Sequence, residues 1–433
     1  MARCLVLAHP QPRDSGDYRH RIVLPFAALA ERLDVAELQT THPRWVEHAV
    51  SAELLVGMMV ADPALDAVLA ERARRRRPTV YELSDDFADF PPSLPGHAFY
   101  SDPANQATIV RQARAADLLQ CSSHGLAERY GAVNPRSVVL PNQLGGVPPL
   151  PRRDDAHRAP VLGWAGSLGH LDDARELAAL LAHWCRARGL APADGPAIRL
   201  MAPAAIRDAF AAAGVRTDWH APAGFDDYLR FLEGLDVGFA TIGERPFALG
   251  RSDGKFLEYA SRGVVCIASA RGEYLHGVRH GETGLLHADR DGFVAALDAV
   301  WDDAALRRRL REAAHAHVAG ERTHEAAARR RAALYSGLLA RAGLQARPGD
   351  GRLRRLEDPT EATLADATVA HEQGRLDAAM AGYLEVASRH PGFHLPWLRG
   401  AMIARTLGAH ADAARFDAMA ADALRASLGA PSA

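Results

Sequence analysis

Two basic residues flank one predicted helix start in the second half of the chain. The segment 239–269 reads as a strand, a loop, a helix and a second strand, with Ser252 or Asp253 as the N-cap. A helix start offers free N–H groups and the positive end of its dipole to an anion. Arg251 and Lys255 would add two cations there. Together these groups could hold a diphosphate and stabilise charge growing on a leaving group.

Lys255 also stands out by composition. It is the one lysine among 51 basic residues, the others being arginines. A compact ammonium can approach a phosphate as a point charge where a planar guanidinium does not fit. The sequence therefore predicts that arginine cannot replace Lys255. Glu258, one turn further along the helix, could accept hydrogen bonds from the vicinal hydroxyls of a ribose.

A glycine-rich loop between a predicted strand and helix is a second candidate phosphate contact. It runs from Gly163 to Gly169 and includes Gly166 and Ser167. Its G-x-x-G-x-x-G form differs from the dinucleotide-binding form, so the pattern alone is weak. His170 follows directly, and it either contacts phosphate or faces solvent.

The amino-terminal half offers fewer candidates. The loop 15–19 follows the first predicted strand, and Gly16 would allow close backbone approach to a ligand, unless the loop is simply a solvated one. Asp85 and Asp86 end another predicted strand and could orient an acceptor hydroxyl. The alternative for this acidic pair is an N-cap role, because other Asp-Asp pairs recur at predicted helix starts. The sequence predicts no metal site and no nucleophile triad.

Short apolar runs alternating with helical stretches predict an α/β fold in which these residues end strands or begin helices. Two Rossmann-like halves would face each other across a cleft, the default ligand site. The predicted bounds are 1–144 for the first α/β domain, 145–158 for a linker, 159–315 for the second domain, 316–345 for helices that return toward the first, 346–360 for another linker and 361–430 for a tail.

The tail has a 34-residue spacing that is typical of tetratricopeptide repeats. Gly374 and Gly408 are 34 positions apart, as are Ala379 and Ala413. Small residues at these positions would let two helices cross closely. Two such units are fewer than a repeat array needs for independent stability, so the tail is expected to dock on the body or on a second copy of the chain.

Length and composition exclude several classes of protein. The 433 residues exceed one ordinary domain, and a net charge of −2 gives no general attraction to nucleic acid. The four cysteines form no CxxC pair, which argues against a zinc or redox site. No apolar run could span a membrane, and the cluster Arg74–Arg77 would support at most peripheral contact. The sequence thus predicts a soluble, cytoplasmic protein.

The order of segments GWAGSLGH, GFDDY, LDVGFATI, RSDGKFLEYASRGVVCIAS, GEY and HGETGLL resembles the carboxyl-terminal half of the GT-B fold, retaining glycosyltransferases of family 4. The likeness covers roughly residues 160–290, and YELSDDF and VVLPNQ extend it loosely into the first half. Its specific part is the S-x-x-K-x-x-E-Y-x-x-x-G pattern. One departure is Gly250, where many relatives carry an additional glutamate. Another is the glycine-rich loop, which lacks the basic residue of many relatives.

The resemblance implies particular roles for particular residues. Arg251 and Lys255 would bind the donor diphosphate and Glu258 the ribose, while Gly272, Glu273 and Tyr274 would face the sugar end of the donor. Such enzymes generally need no metal, so no cofactor is expected.

The implied activity is transfer of a sugar from a nucleotide-diphosphate donor to a hydroxyl acceptor, such as a glycan, carrier-linked glycan, protein or natural product, with retained anomeric configuration. The tail would recruit the acceptor, a partner protein or a second copy of the chain. Two alternatives remain: a non-catalytic scaffold that serves the tail, and an epimerase of the same fold.

Overall fold

The computed structural model describes residues 3–13, 15–94, 96–151 and 159–429, which form two parallel sheets. The predicted linker at 145–158 therefore lies partly outside the described residues. Six strands of the first sheet are β1 Cys4–Ala8, β2 Val35–Gln39, β3 Leu54–Met58, β4 Thr79–Leu83, β5 Leu118–Cys121 and β6 Ser137–Val139. The central strands are short apolar runs buried along their whole length, as parallel sheets covered by helices on both faces require.

Helices connect the strands of the first domain and cover its sheet. They are α1 Gly16–Tyr18, α2 Leu24–Leu29, α3 Trp45–Ser51, α4 Ala64–Arg74, α5 His97–Tyr100, α6 Pro103–Ala115 and α7 His124–Tyr130. A π-helical turn, Arg19–Val23, joins α1 to α2. Ser15 caps α1, because its Oγ accepts a hydrogen bond from the N–H of Tyr18 at 3.3 Å. This start brings Asp17 and Arg21 to the carboxyl end of the sheet.

The second domain repeats the same architecture. Its strands are β7 Leu162–Ala165, β8 Ile198–Met201, β9 Thr217–His220, β10 Val237–Ala240, β11 Val265–Ser269 and β12 Leu285–His287, in the spatial order β12-β11-β10-β7-β8-β9. Its helices are α8 Leu171–Ala187, α9 Ala204–Ala212, α10 Phe225–Glu233, α11 Pro246–Leu249, α12 Gly254–Ser261, α13 Tyr274–Gly277, α14 Arg290–Asp302 and α15 Ala304–Glu321. Strand β9 was not predicted, because its sequence, TDWH, carries no apolar run.

The chain crosses back to the first domain after α15. Residues 290–341 form three helices, since Asp303 and Thr323 each cap a new helix. The third, α16 His324–Arg341, packs on the first domain with Tyr335, Leu338 and Leu339 in its core. The chain passes between the domains twice, near Leu144 and near Arg322. Two backbone hydrogen bonds join these two crossings: Leu144 N–H donates to Arg322 C=O at 2.9 Å, and His324 N–H donates to Leu144 C=O at 2.8 Å.

The segment at 346–360 is more than the predicted linker. Strand β13, Arg354–Arg355, pairs in parallel with β2, so the first sheet has the order β13-β2-β1-β3-β4-β5-β6. The pairing involves backbone only, and two arginines at a solvent-exposed edge give no apolar signal in the sequence.

Residues 360–429 form an all-helical tail, as predicted. Its helices are α17 Thr360–Glu372, α18 Leu376–Arg389, α19 His394–Thr406 and α20 His410–Gly429. Gly374 and Gly408 both end helices at positive φ, 73° and 74°, where a side chain would be strained. The tail docks on the first domain, where Trp45 and Leu65 share one apolar core with Phe393 and Tyr383 of the tail.

Phe393→Ala is expected to destabilise the whole body, because the tail shares the core of the first domain. The Phe393 side chain is 1% exposed, and emptying such a site costs about 3–5 kcal/mol. Thermal unfolding followed by circular dichroism measures the loss. Leu407→Ala, at a side chain that is 62% exposed in the same tail, should leave the midpoint nearly unchanged. An unchanged midpoint for Phe393→Ala would mean that the tail folds independently of the body.

None of the helices in the described residues is long and apolar enough to cross a membrane.

Candidate functional site

A cavity of about 410 Å³ lies between the carboxyl ends of the two sheets. The first domain lines it with side chains from the loops after β1, β4 and β5, and the second with those after β7, β10 and β11 and with the start of α12. This volume is within the range of small-molecule sites. Of the residues that the sequence singled out, the cavity brings together Gly16, Asp85, Ser167, His170, Arg251, Lys255, Glu258 and Tyr274.

Helix α12 presents its amino terminus to this cavity. Asp253 occupies the N-cap position, yet no side chain in the described residues caps the first N–H groups. The Asp253 carboxylate instead accepts two hydrogen bonds from Arg322, at 2.8 and 3.0 Å. Ser252, the other predicted cap, accepts a hydrogen bond at Oγ from Asn142 Nδ2 at 2.9 Å. The N–H groups of α12 thus remain free to bind an anion.

Lys255 is enclosed at the bottom of the cavity. Its Nζ donates to the C=O of Ala165 at 2.5 Å and lies 4.6 Å from the centre of the Trp164 ring. Gly166 does not line the cavity, but it leaves room for the ammonium, since a Cβ there would come within 3.0 Å of Nζ. Burial lowers the pKa of Lys255 to about 8. An anion bound beside Lys255 would stabilise the ammonium form and raise this pKa again.

Arg251 is held on the opposite side of the helix start. Its Nη1 donates to the C=O of Gly169 at 3.2 Å and lies 2.8 Å from Nδ1 of His170. The same Nδ1 lies 2.9 Å from Oδ2 of Asp173. Burial, together with Arg251 and Lys255, lowers the pKa of His170 well below its usual value, so the ring is neutral. His170 therefore belongs to the wall of the cavity and orients Arg251, rather than facing solvent.

Glu258 lies one turn beyond Lys255 and accepts a hydrogen bond at Oε2 from the Tyr228 hydroxyl at 2.5 Å. Both side chains line the cavity. Tyr228 comes from α10 and was not singled out in the sequence. The helix places Glu258 three residues, about one turn, from Lys255. The Tyr228 hydroxyl holds the Glu258 carboxylate in one orientation.

Of the predicted triplet after β11, the cavity contains only Tyr274. Gly272 forms the preceding turn at a positive φ of 53°. Glu273 points away from the cavity and binds the first domain instead, where its Oε2 accepts from the backbone N–H of His124 at 2.7 Å. The Glu273 carboxylate thus bridges the domains, a long-range contact that no local pattern encodes, and a donor contact at Glu273 stays a prediction.

The acidic pair at the end of β4 divides into two roles. Asp85 lines the cavity, whereas Asp86 is buried and accepts hydrogen bonds from the N–H of Ala88 at 3.1 Å and the Tyr130 hydroxyl at 2.5 Å. Arg129 adds an ion pair to Asp86 at 2.9 Å. The alternative role, an N-cap, thus holds for Asp86, which caps the short helix at 87–89. Asp86 does not line the cavity, so of the two roles left open by the sequence this placement favours the N-cap.

Arg21 is a cavity residue that sequence reasoning missed, and Asp17 is one that it named only as part of the loop 15–19. Asp17 accepts a hydrogen bond at Oδ2 from Ser84 Oγ at 3.1 Å, and burial raises its pKa. Burial and the neighbouring Asp17 carboxylate likewise raise the pKa of Asp85. Arg21 is buried and pairs with Glu82 at 2.5 Å. Positions 17 and 21 are four apart, so a helical turn that begins at Gly16 brings both side chains to the cavity.

The domains meet closely around the cavity. Ser123 Oγ donates to the C=O of Gly250 at 2.6 Å, and a Cβ at Gly125 would lie 2.3 Å from the C=O of Leu249. A Cβ at Gly250 would lie 3.0 Å from Cδ2 of Leu126, so a larger side chain at this position would enter a tightly packed interface. Among the described residues, no group of three or more His, Cys, Asp and Glu side chains is arranged to hold a metal ion.

Comparison with known proteins gives one partial family match and several structures of similar fold. Residues 190–334 match the family described as "Glycosyl transferase-like". The structure of Anabaena HepE in complex with UDP and glucose is similar with a TM-score of 0.56 at 14% identity, over 78% of this chain and 100% of that one. Sucrose-phosphate synthase from Thermosynechococcus elongatus gives 0.52 at 15% identity, over 78% and 100%.

The lipopolysaccharide outer core galactosyltransferase WaaB gives a TM-score of 0.53 at 12% identity, over 77% of this chain and 99% of that one. No curated protein sequence matches the chain at a significant level. At these identities the likeness establishes the fold. The two α/β domains form a GT-B fold, as the sequence resemblance predicted, and the helical tail follows it. The family match concerns residues 190–334, which lie mostly in the second domain of this fold.

Proposed function

We propose that the chain is a glycosyltransferase that moves a sugar from a nucleotide-diphosphate donor to a hydroxyl acceptor. The observation that carries the proposal is the convergence of Arg251, Lys255 and Glu258 on one cavity at the uncapped start of α12. The family match to residues 190–334 supports it. So does the similar HepE structure, which holds UDP and glucose.

In this proposal the second domain binds the donor. The diphosphate lies against the N–H groups of α12 between Arg251 and Lys255, and Glu258 accepts hydrogen bonds from the ribose hydroxyls. As the bond between sugar and phosphate breaks, negative charge grows on the leaving diphosphate. The two cations and the helix dipole stabilise that charge in a site that excludes most water. Because these groups already supply the positive charge, the proposal requires no metal ion.

The first domain then positions the acceptor. Asp85 and Asp17 face the donor side from across the cavity, where a carboxylate can accept a hydrogen bond from an acceptor hydroxyl. The departing phosphate takes up the proton of that hydroxyl on the same face of the sugar, which retains the anomeric configuration. The anomeric proton of the product, followed by NMR, tests retention; an inverted product contradicts this step.

Glu258→Gln is expected to weaken binding of a nucleoside diphosphate by about tenfold, because a charge-assisted hydrogen bond to the ribose becomes a neutral one. Tyr228→Phe keeps the carboxylate but frees it to rotate, so it should weaken binding by a smaller factor. Isothermal titration calorimetry measures both. Equal affinity of Glu258→Gln and the unchanged protein would remove Glu258 from the donor site.

A thermal-shift screen against nucleotide-diphosphate sugars tests the proposal as a whole, since a ligand that binds the folded state raises the melting midpoint. The donor found is then assayed for transfer with and without EDTA, and activity should persist in EDTA. Lys255→Ala is the inactive control. Nucleotide binding without transfer to any acceptor would favour the scaffold, and conversion of the donor without an acceptor would favour the epimerase.

For the tail, the proposal is a role in recruiting the acceptor, a partner protein or a second copy of the chain. The tail docks on the first domain, the side that positions the acceptor. Light scattering during size-exclusion chromatography tests self-association, and a monomer that uses small and carrier-linked acceptors with equal KM would contradict recruitment of a second copy and of an acceptor.

A further inference from the structure

A second cavity, of about 380 Å³, lies where the chain crosses between the domains. We call it the hinge cavity. It is bounded by Leu140, Pro141 and Gln143 on the first crossing and by Arg322 on the second. Gln143 also lines the cavity described above, so one segment of chain separates the two.

The lining of the hinge cavity carries more cations than carboxylates: Arg279, Arg322, Arg330 and Arg331 against Glu273 and Glu321. Ion pairs join Arg279 to Glu321 at 3.1 Å and Arg322 to Asp253 at 2.8 Å, whereas Arg330 and Arg331 have no carboxylate partner among the described residues. Three histidines, His124, His276 and His317, also contribute to the lining. Burial lowers the pKa of His276 and of His317, so these two rings supply hydrogen bonds rather than charge at neutral pH.

Arg331 is the lining residue that most strongly indicates an anion site. Its side chain is only 5% exposed, and its Nη1 donates to the Tyr335 hydroxyl at 3.3 Å while the guanidinium lies 5.6 Å from the Phe26 ring. Within the part of the chain that the structure describes, no ion pair joins Arg331 to a carboxylate. A buried guanidinium without a counter-charge is costly, so folded proteins pair it. The side that opens on the hinge cavity leaves room for an anion.

We propose that the hinge cavity binds an anion bearing a phosphoryl group. Guanidinium forks match the oxygens of phosphate, and two arginines without a carboxylate partner around one space, Arg330 and Arg331, favour a doubly charged ligand over a single carboxylate. The volume exceeds what a bare phosphate fills, which leaves room for the rest of a phosphorylated metabolite.

A buried hydrogen-bond chain connects this cavity with the donor cavity. Arg331 donates to Tyr335 at 3.3 Å, and Tyr335 donates to Gln120 at 2.9 Å. The chain continues through the side chains of Gln120, Glu82, Arg21, Asn142 and Ser252. An anion at Arg331 would change the charge at one end of this hydrogen-bond chain. The other end of the chain is Ser252, which lies directly before α12. By linkage, donor nucleotide and hinge anion then change each other's affinity by one common factor.

The test uses the full chain carrying Lys255→Ala, which silences the donor site. Inorganic phosphate, pyrophosphate and ribose 5-phosphate are each titrated by calorimetry at low ionic strength. We expect one equivalent of at least one of them to bind, with ribose 5-phosphate the tightest if the ligand is a metabolite and pyrophosphate the tightest if it is a free anion. Absence of binding by all three would overturn the proposal.

Two further variants locate the site. Arg279→Gln combined with Arg330→Gln, both at exposed positions of the lining, should weaken binding by about tenfold or more. Arg329→Gln, an exposed neighbour outside the lining, should leave it unchanged. Arg331→Met should abolish binding and raise the melting midpoint, because it removes the unpaired buried charge. Equal weakening by the double variant and by Arg329→Gln, or a lower midpoint for Arg331→Met, would refute the assignment.

Discussion

Lys255→Arg is expected to lower kcat/KM for sugar transfer by about 100-fold or more, although the exchange keeps the charge. The ammonium of Lys255 lies 2.5 Å from the C=O of Ala165, against the Trp164 ring and beside Gly166. A guanidinium is larger and planar, so it cannot occupy this enclosure without displacing the loop after β7. The displaced loop would no longer align the diphosphate with the start of α12.

A second variant separates the effect of charge from the effect of shape at position 255. Lys255→Met keeps the length of the side chain but removes the ammonium, so it should lose at least as much activity as Lys255→Arg. Arg262→Lys, an exchange of the same two residue types at the end of α12, serves as the matched control and should retain full activity. Melting midpoints confirm that each variant folds. Full activity of Lys255→Arg would show that the leaving group is stabilised elsewhere.

The pH dependence of donor binding gives an independent readout of the same residue. Burial lowers the pKa of Lys255 to about 8 in the free protein, and a bound diphosphate raises it again. Donor affinity should therefore fall as the pH rises above about 8, where the free protein releases the proton. In Lys255→Arg the side chain stays protonated, so this decline should disappear. A decline of equal size in both proteins would assign it to another group.

The parts of the fold that a local pattern encodes were predictable. Apolar runs such as that of β1 and β11 must be buried on both faces, and their alternation with helices leaves few arrangements other than two parallel sheets. Strands β9 and β13 were not predicted, because neither contains an apolar run. Arg354 and Arg355 join the sheet through backbone hydrogen bonds, which place no demand on residue type.

The second-domain side of the candidate site was predictable because its residues are close in sequence. Lys255 and Glu258 share α12 and Arg251 lies three residues before its first residue, so short spacings fix their relative positions. The other contacts join residues far apart in the chain. Glu273 binds His124 of the other domain, and Arg322 takes the carboxylate of Asp253 that would otherwise cap α12. No spacing rule relates such pairs, so sequence reasoning found neither the contact of Glu273 with His124 nor Arg322.

The acceptor side depends on burial, which a single sequence does not reveal. Asp85 and Asp86 are adjacent and chemically identical, yet one lines the cavity and the other forms a structural ion pair. Alternation along the end of β4 sends neighbouring side chains in opposite directions. The sequence could identify the pair but not the member that faces the ligand, and it gave no reason to join Asp17 to Asp85.

Asp85→Asn is expected to have opposite effects on activity and stability. Transfer should fall by about 100-fold in kcat, because the neutral amide no longer attracts the acceptor hydroxyl as a carboxylate does. The melting midpoint should rise by about 2 °C at neutral pH, because the variant removes one of two neighbouring buried carboxylates. Activity assays and thermal unfolding of the same preparations measure both effects.

The gain in stability should depend on pH in a defined direction. Burial and Asp17 raise the pKa of Asp85 in the folded protein, so ionised Asp85 disfavours folding. Below the pKa of free aspartate, about 3.9, the residue is protonated in both states and Asp85→Asn changes little. As the pH rises through the folded-state pKa, the unchanged protein loses stability and the advantage of the variant grows.

Asp86→Asn is the matched control, since it makes the same chemical change one residue away. Asp86 is buried among the Tyr130 hydroxyl, the N–H of Ala88 and Arg129, and its charge stabilises the fold through these partners. Its replacement should lower the melting midpoint at neutral pH while kcat falls much less than in Asp85→Asn. If the two variants change stability in the same direction, Asp85 is a structural carboxylate like its neighbour, and the acceptor site must be sought away from the end of β4.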